Sequence, residues 1–228
     1  MLRCPSVSIL ILNFNGSQFI EKCLNSVLRT DYPNIEVLFI DNGSTDGSID
    51  LVKSKFKCSR LKIIENAENM GYSCVNGVVS AFVRSEIISF LDIDTKVNPK
   101  WLKEAVRVLE SQSDVGAVQP KLLMKKNFID GVGDCIDHFG YSFSRGHCEK
   151  DFGQYDKEEE IFSARGAAMI IKRRIFEKIG GIDPLFFIHL WDVDIGWRLR
   201  LAGYKVVLAP KAEVSRCPSC HWQISFID

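Results

Sequence analysis

Neither sign of charge prevails in this sequence: 29 Lys and Arg residues meet 29 Asp and Glu residues. The net basic field that draws a chain to nucleic acid is therefore absent, and so is an acidic tail. Long apolar runs are missing too. The longest unbroken one, Ala167–Ile171, has five residues, where a membrane-spanning helix needs about 20. The N-terminal MLRCPSVSILILNFNG has an apolar part too short for a signal peptide. It runs into Asn13 and Asn15 without a small-residue cleavage site, so it reads as a strand and the chain as cytoplasmic. No G-x-G-x-x-G follows that strand and no phosphate-binding G-x-x-x-x-G-K-[ST] occurs, which excludes the usual dinucleotide fingerprint and the P-loop.

What is present is the composition of an ordinary globular chain, 46% hydrophobic and 25% charged, with 228 residues to build a substantial core. Eight cysteines occur, and Cys23 and Cys74 fall inside apolar patterns, where Cys behaves as a small hydrophobe. Reduced thiols are expected rather than a disulfide framework. Cys217-Pro-Ser-Cys220-His221 matches a haem-attachment spacing or half a zinc site, but no second C-x-x-C completes a thiolate set.

The pattern along the chain alternates strand and helix. Val7–Leu12, Ile35–Ile40 and Leu61–Ile64 read as strands and the stretch Ile87–Pro99 opens as a buried one, separated by 3.6-period stripes such as Phe19, Ile20, Cys23, Leu24, Val27 and Leu28. Ser17 and Asn98 are the expected helix caps, with Pro99 at the first helical position. Beyond Val115–Val118, residues 127–161 lose regularity and read as a long excursion ending in the acidic run Asp156–Glu160. Phe162–Ile171 returns to an apolar segment, and Ile195, Leu199 and Ala202 mark a last helix that Gly203 ends. The fold class is α/β, a mostly parallel central sheet flanked by helices.

Each polar cluster follows a strand. Asn13–Asn15, Asp41–Asp46, Asn69–Gly71 and Asp92–Asp94 should meet in one crevice at the carboxyl edge, where open α/β sheets bind ligands. Asp92 and Asp94 stand two apart, so they point to one side and offer oxygens to a divalent cation or to whatever carries one. Alone, that pair would be a strand end capped by solvated acids; its neighbours give it meaning. A second pair, Asp192 and Asp194, lies in the first turn of the last helix, where the dipole favours ionised carboxylates.

The segments VSILILNFNG, FIDNGSTDGS, ENAENMGYSCVNG, FLDIDTKVNPKWL, SARGAAMIIKRRIFEKIGGIDPLFF and WDVDIGWRLRLAGYKV span nearly the whole chain. Together they closely resemble the inverting nucleotide-sugar glycosyltransferases of the GT-A fold, in the rhamnosyltransferase-like branch of the large family two glycosyltransferases. The loop piece IDGVGDCIDHFGYSFSRG is similar to a segment common in them, which implies an ordered part of the fold.

The resemblance implies a single domain, residues 1–97 forming the donor half and 98–228 the acceptor half, without a C-terminal extension that many relatives carry. It implies that Phe14, Asn15 and Asp41 hold the nucleobase, with Asn13 beside them. Asn69, Gly71, Asn76 and Arg165 would line the donor site, Asp92 would lie near the ribose and Asp94 would contact Mn2+ or Mg2+. Asp192 would be the general base. The implied donor is a nucleotide-diphospho-sugar and the acceptor a glycan or lipid-linked glycan for cell-surface polysaccharide, handled in the cytoplasm or at the cytoplasmic face of the membrane. Two positions depart from the family's pattern. Trp191 stands where the family has Glu, and Arg216 stands where it has a metal-binding histidine, with His221 five residues later as the substitute ligand. Two other readings follow from the residues. One is a nucleotide-sugar-binding module without turnover, prompted by Trp191 and Arg216. The other is a sugar nucleotidyltransferase, disfavoured because NFNGSQ is not the Gly-rich basic loop that such an enzyme carries after its first strand.

Overall fold

The computed structural model describes residues 4–124 and 127–217. The first half alternates as the periodicity indicates: β1 (Val7–Asn13), α1 (Ser17–Val27), β2 (Ile35–Asp41), α2 (Ser48–Lys55), β3 (Leu61–Glu65), α3 (Cys74–Phe82) and β4 (Ile87–Asp92). The second half continues with β5 (Thr95–Val97), α4 (Trp101–Leu109), β6 (Val115–Leu123), β7 (Ile129–Gly131), β8 (Asp134–Ile136), β9 (Ser142–Ser144) and β10 (Glu160–Ile161). It ends with β11 (Ala168–Lys172), α5 (Arg173–Lys178), α6 (Trp191–Leu201) and β12 (Lys205–Arg216).

One sheet runs β10-β12-β6-β11-β4-β1-β2-β3, with β5 on β12 and β7 on β6. Strands β3, β2, β1 and β4 are parallel, β11 is antiparallel to both β4 and β6, and β12 is parallel to β6. The parallel block is therefore the N-terminal half, and β11 reverses direction beside it. Alternating side chains separate two cores. Ile9, Ile11, Val37 and Phe39 face α1 and α4, while Leu10, Leu38, Ile88 and Phe90 face α3, α5 and α6.

Local details depart from the expected caps. Gly16, not Ser17, occupies the position before α1, and the Ser17 N–H donates to Asp46 Oδ2 at 2.8 Å. Asn98-Pro99 forms a turn ahead of α4, Asn98 Oδ1 accepting the Lys100 N–H at 3.1 Å, so the helix starts at Trp101. Ala202 lies past the end of α6 and is exposed. Gly203 ends that helix as expected: its φ of +82° lets Tyr204 N–H reach back to the Leu199 carbonyl at 2.9 Å.

The 127–161 excursion is built rather than loose. β7 joins the main sheet, β8 pairs with β9, and β10 edges β12. Its acidic run is tied down residue by residue. Lys121, buried, pairs with Asp151 at 3.0 Å and Asp156 at 2.5 Å; Glu158, Glu159 and Glu160 pair with Arg107, Arg145 and Arg200. No helix among the described residues is long and apolar enough to cross a membrane.

Candidate active site

Register places the edge clusters side by side. Asn13 pairs with Asp41 across β1–β2 and Leu12 with Asp92 across β1–β4, so the three strand ends are level. Above them opens a cavity of about 360 Å³. Phe14, Asn69, Gly71, Asp92, Asp94, Arg165 and Asp192 line it, joined by Tyr72, His189, Trp191 and Arg216.

The loops after β1 and β2 lock each other. Asn13 Nδ2 donates to Asp41 Oδ1 at 2.8 Å, Ser44 N–H donates to Asp41 Oδ2 at 2.9 Å, and Thr45 N–H donates to Asn15 Oδ1 at 2.8 Å. Asn13 and Asp41 are buried beneath the cavity wall, while Asn15, with a φ of +50°, is exposed at the edge. Asn42 extends the frame: its Nδ2 donates to Asn69 Oδ1 at 2.8 Å and to the Gly71 carbonyl at 3.2 Å. Gly71 has a φ of +63°, and an added Cβ would lie 2.2 Å from the Phe187 carbonyl oxygen, so only glycine fits.

Asn76 stands elsewhere than expected. Its Nδ2 donates to the Ile182 carbonyl at 2.6 Å, and its Oδ1 accepts the Ile182 N–H at 2.9 Å. It is not among the residues lining the cavity; its amide fastens the 180–182 turn to α3. Asp194 is likewise a fastening, paired with Arg198, which also donates to the Ile179 and Gly181 carbonyls.

Asp92 ends β4, and Asp94 sits in the turn to β5. Both carboxylates face one guanidinium. Arg216 Nη2 lies 3.0 Å from Asp94 Oδ2 and 3.4 Å from Asp92 Oδ2, and its Nη1 lies 3.4 Å from Asp130 Oδ2. Burial pushes Asp94 up to about 6, helped by the neighbouring Asp92 charge and opposed by Arg216. Burial alone would lower Arg216, but the three carboxylates around it outweigh that and hold it further above its ordinary value. Tyr72 donates its hydroxyl to Asp92, and burial together with that charge raises the phenol well above its usual range.

Arg165 stands on the far side of Asp130. Its Nη1 is 3.4 Å from Asp130 Oδ2 and its Nε 3.6 Å from Asp134 Oδ1. Burial carries Asp134 up to about 7, with Arg165 pulling down and Asp192 and Asp130 pushing further up. Sequence reasoning missed Tyr72, Asp130, Asp134 and His189. The signal for the two acids was the loop piece IDGVGDCIDHFGYSFSRG, whose likeness to a family segment implied an ordered loop but gave no residue a role.

Asp192 heads α6. Its Oδ2 accepts the Gly166 N–H at 2.7 Å and its Oδ1 the Val193 N–H at 3.0 Å, fixing the carboxylate at the cavity wall. Burial raises its pKa, while these two N–H groups and Arg165 pull it down. Trp191 fills the space behind: its ring stacks on Tyr72 at 4.7 Å and meets Phe90 at 5.1 Å. His221, the expected second metal ligand, and Cys220 lie outside the described residues.

The family model for glycosyl transferase family 2 matches residues 8–180. The O-antigen biosynthesis protein RfbC of Myxococcus xanthus is 28% identical over 211 residues, covering 89% of this chain and 16% of that protein. Glycosyltransferase AglE of Haloferax volcanii is 32% identical over 213 residues, covering 90% of this chain and 64% of that protein. The Mycobacterium tuberculosis N-acetylglucosaminyl-diphospho-decaprenol L-rhamnosyltransferase is 22% identical, covering 90% and 74%. The chain spans only 16% to 39% of the length of several curated relatives it matches.

Among solved structures, the mannosyltransferase PcManGT of Pyrobaculum calidifontis, in complex with GDP-Man and Mn2+, superposes with a TM-score of 0.70 at 18% identity, covering 94% of this chain and 57% of its own. GalNAc-T7 with UDP, GalNAc and Mn2+ gives 0.78 at 16% identity, covering 95% and 44%. The fold is that of the GT-A glycosyltransferases, and with the family model matching most of its length the chain belongs to glycosyl transferase family 2.

Proposed function

We propose that this chain is an inverting glycosyltransferase that moves a sugar from a nucleotide-diphosphate donor to a hydroxyl of a glycan or lipid-linked glycan. The observation that carries the reading is Asp192: a carboxylate held by two N–H groups projects into the same cavity as Asp92, Asp94, Arg165 and Arg216. Residues 1–97 act as the donor half and 98–228 as the acceptor half, both contributing to that cavity wall. Phe14, Asn69 and Gly71 form the donor side, over a floor stiffened by Asn13, Asn15 and Asp41.

Asp192 supplies the chemistry. It accepts the proton of the acceptor hydroxyl as that oxygen attacks the anomeric carbon, and the nucleoside diphosphate leaves from the opposite face. A single displacement with one base on the acceptor side inverts the anomeric centre, as in inverting hydrolysis with a sugar hydroxyl in place of water. The raised pKa of Asp192 makes it a stronger base than a solvated carboxylate, and the N–H groups of Gly166 and Val193 keep its lone pairs aimed. The names of relatives support polysaccharide work: one is an O-antigen biosynthesis protein and another acts on a decaprenol-linked sugar. A lipid-linked acceptor would bring the chain to the cytoplasmic face of a membrane as a peripheral partner.

A divalent cation, Mn2+ or Mg2+, is what the fold family implies, and both solved neighbours described above carry Mn2+. Among the described residues, the side chains as arranged do not fit one. Arg216 covers both oxygens of Asp94, at 3.0 and 3.4 Å, and Asp92 is shared between Arg216 and the Tyr72 hydroxyl. Among the described residues no three His, Cys, Asp or Glu side chains converge as a metal-binding group.

Asp192→Asn removes the base and keeps the shape. The expected result is unchanged donor binding by calorimetry and transfer lowered by about 10²–10⁴-fold, the usual worth of a general base. Turnover near the wild-type rate would refute the role. Tight donor binding without transfer by the wild-type chain would point to a binding module.

A further inference from the structure

Arg216 is placed by the sheet, not by chance rotation of a surface side chain. β12 pairs antiparallel with β5, Arg216 sits opposite Thr95, and the Cys217 N–H donates to the Asp94 carbonyl at 3.0 Å. The guanidinium then forks onto Asp94 through Nε at 3.4 Å and Nη2 at 3.0 Å. Asp94 has 2% of its side chain exposed and Arg216 21%, so the pair is shielded while one side of the guanidinium opens to the cavity. Guanidinium donors match phosphate oxygens as well as carboxylates, and the charge cannot be lost at working pH.

Arg165 brings a second guanidinium to the same place. Arg165 and Arg216 both line the cavity and both reach Asp130 Oδ2, each at 3.4 Å. A metal ion seated on Asp94 would have to displace the guanidinium or sit against its like charge, losing the fork in either case.

We propose that Arg216, with Arg165 beside it, is the resident cation of the donor site, binding the diphosphate directly so that donor binding needs no divalent metal. This rests on the donor-site reading above. Asp92, Asp94 and Asp130 hold the guanidinium in place instead of ligating an ion, and the charge that builds on the departing diphosphate falls on Arg216 and Arg165.

The test uses the purified full chain, titrated by calorimetry with UDP, GDP and dTDP in EDTA and again with Mn2+, while the electron paramagnetic resonance of free Mn2+ reports metal binding by itself. At least one nucleoside diphosphate should bind in EDTA, its affinity changing less than about threefold on adding Mn2+, with no Mn2+ taken up by the protein alone. Arg216→His exchanges the guanidinium for a metal ligand. That variant should take up Mn2+, lose nucleotide affinity in EDTA and regain at least about tenfold with the metal. Arg216→Lys keeps the charge without the fork and should bind about tenfold more weakly, with no rescue by Mn2+; it decides the matter if the histidine variant does not fold. Wild-type protein that binds a nucleoside diphosphate only with Mn2+ would overturn the inference and leave the donor site standing. A chain that binds none under either condition overturns the donor-site reading, and the inference with it.

Discussion

Gly166→Ala adds one methyl group against the Trp191 ring, beside the N–H that holds the base. Its Cβ would lie 2.1 Å from Trp191 Cζ2 and 2.9 Å from Cε2 and Cη2, well inside any allowed contact. Gly166 is not among the residues with positive φ, so backbone strain plays no part and the cost is steric. Trp191 has little room to yield: it is 2% exposed, with the Tyr72 ring at 4.7 Å on one side and Phe90 at 5.1 Å on another. Overpacking of this kind costs about 1–3 kcal/mol. In a chain of this size each kcal/mol lowers the melting temperature by about 2–4 °C, so a mid-range cost predicts a drop of about 4–8 °C. Turnover should fall further than stability. The Gly166 N–H holds Asp192 Oδ2 at 2.7 Å, and an ångström of displacement at a reacting group costs about 10²-fold. The assays are a thermal melt followed by tryptophan fluorescence and transfer measured well below the melt. Trp191→Phe removes the ring carrying Cζ2 and Cη2, so the double variant should recover most of the lost melting temperature. A single variant that melts within about 1 °C of wild type, or a double variant as unstable as the single one, would refute the steric account.

The remaining predictions concern residues around that contact. Asp134 is pushed up to about 7 by burial, far above its unfolded value, so the folded chain disfavours its charge. Its stability contribution is present in acid and lost as pH rises toward 7; Asp134→Asn should match wild type near pH 4 and melt progressively higher than wild type by pH 8. A constant difference across that range would sink the assignment. Asn76→Ala deletes both hydrogen bonds to the Ile182 backbone and leaves that turn unpaired, for a loss of about 1–3 kcal/mol in urea denaturation. Nucleoside diphosphate affinity should be unchanged in the folded variant, and a large loss of affinity would return Asn76 to the donor pocket.

Local periodicity made much of the first half legible. β1, α1, β2, β3, α3 and β4 follow from apolar runs and stripes whose buried residues, such as Ile20, Cys23, Leu24 and Val27, are those of the pattern. Phe82 closes the α3 stripe at 49% exposure because the helix ends there, and β3, at the sheet edge, carries no fully buried residue. The strands of the excursion were not legible for a physical reason. Its strands are all three residues or shorter, and it is held by ion pairs from Lys121, Arg107 and Arg200 in other segments and by Arg145–Glu159 within it, contacts that leave no periodic trace.

By itself the sequence determined the strand-and-helix order from β1 to β4, the gathering of polar loops at one sheet edge, the Asp92–Asp94 pair and the position of Asp192, because each depends on neighbours within a few residues. Only the tertiary structure decided what those groups meet. Arg216 reaches Asp94 across 122 residues and Asn76 spends its amide on Ile182 across 106, both through the pairing and packing of distant elements. A carboxylate's role is set by the charge that folding brings within 3 to 4 Å of it, and that partner is invisible until the sheet is closed.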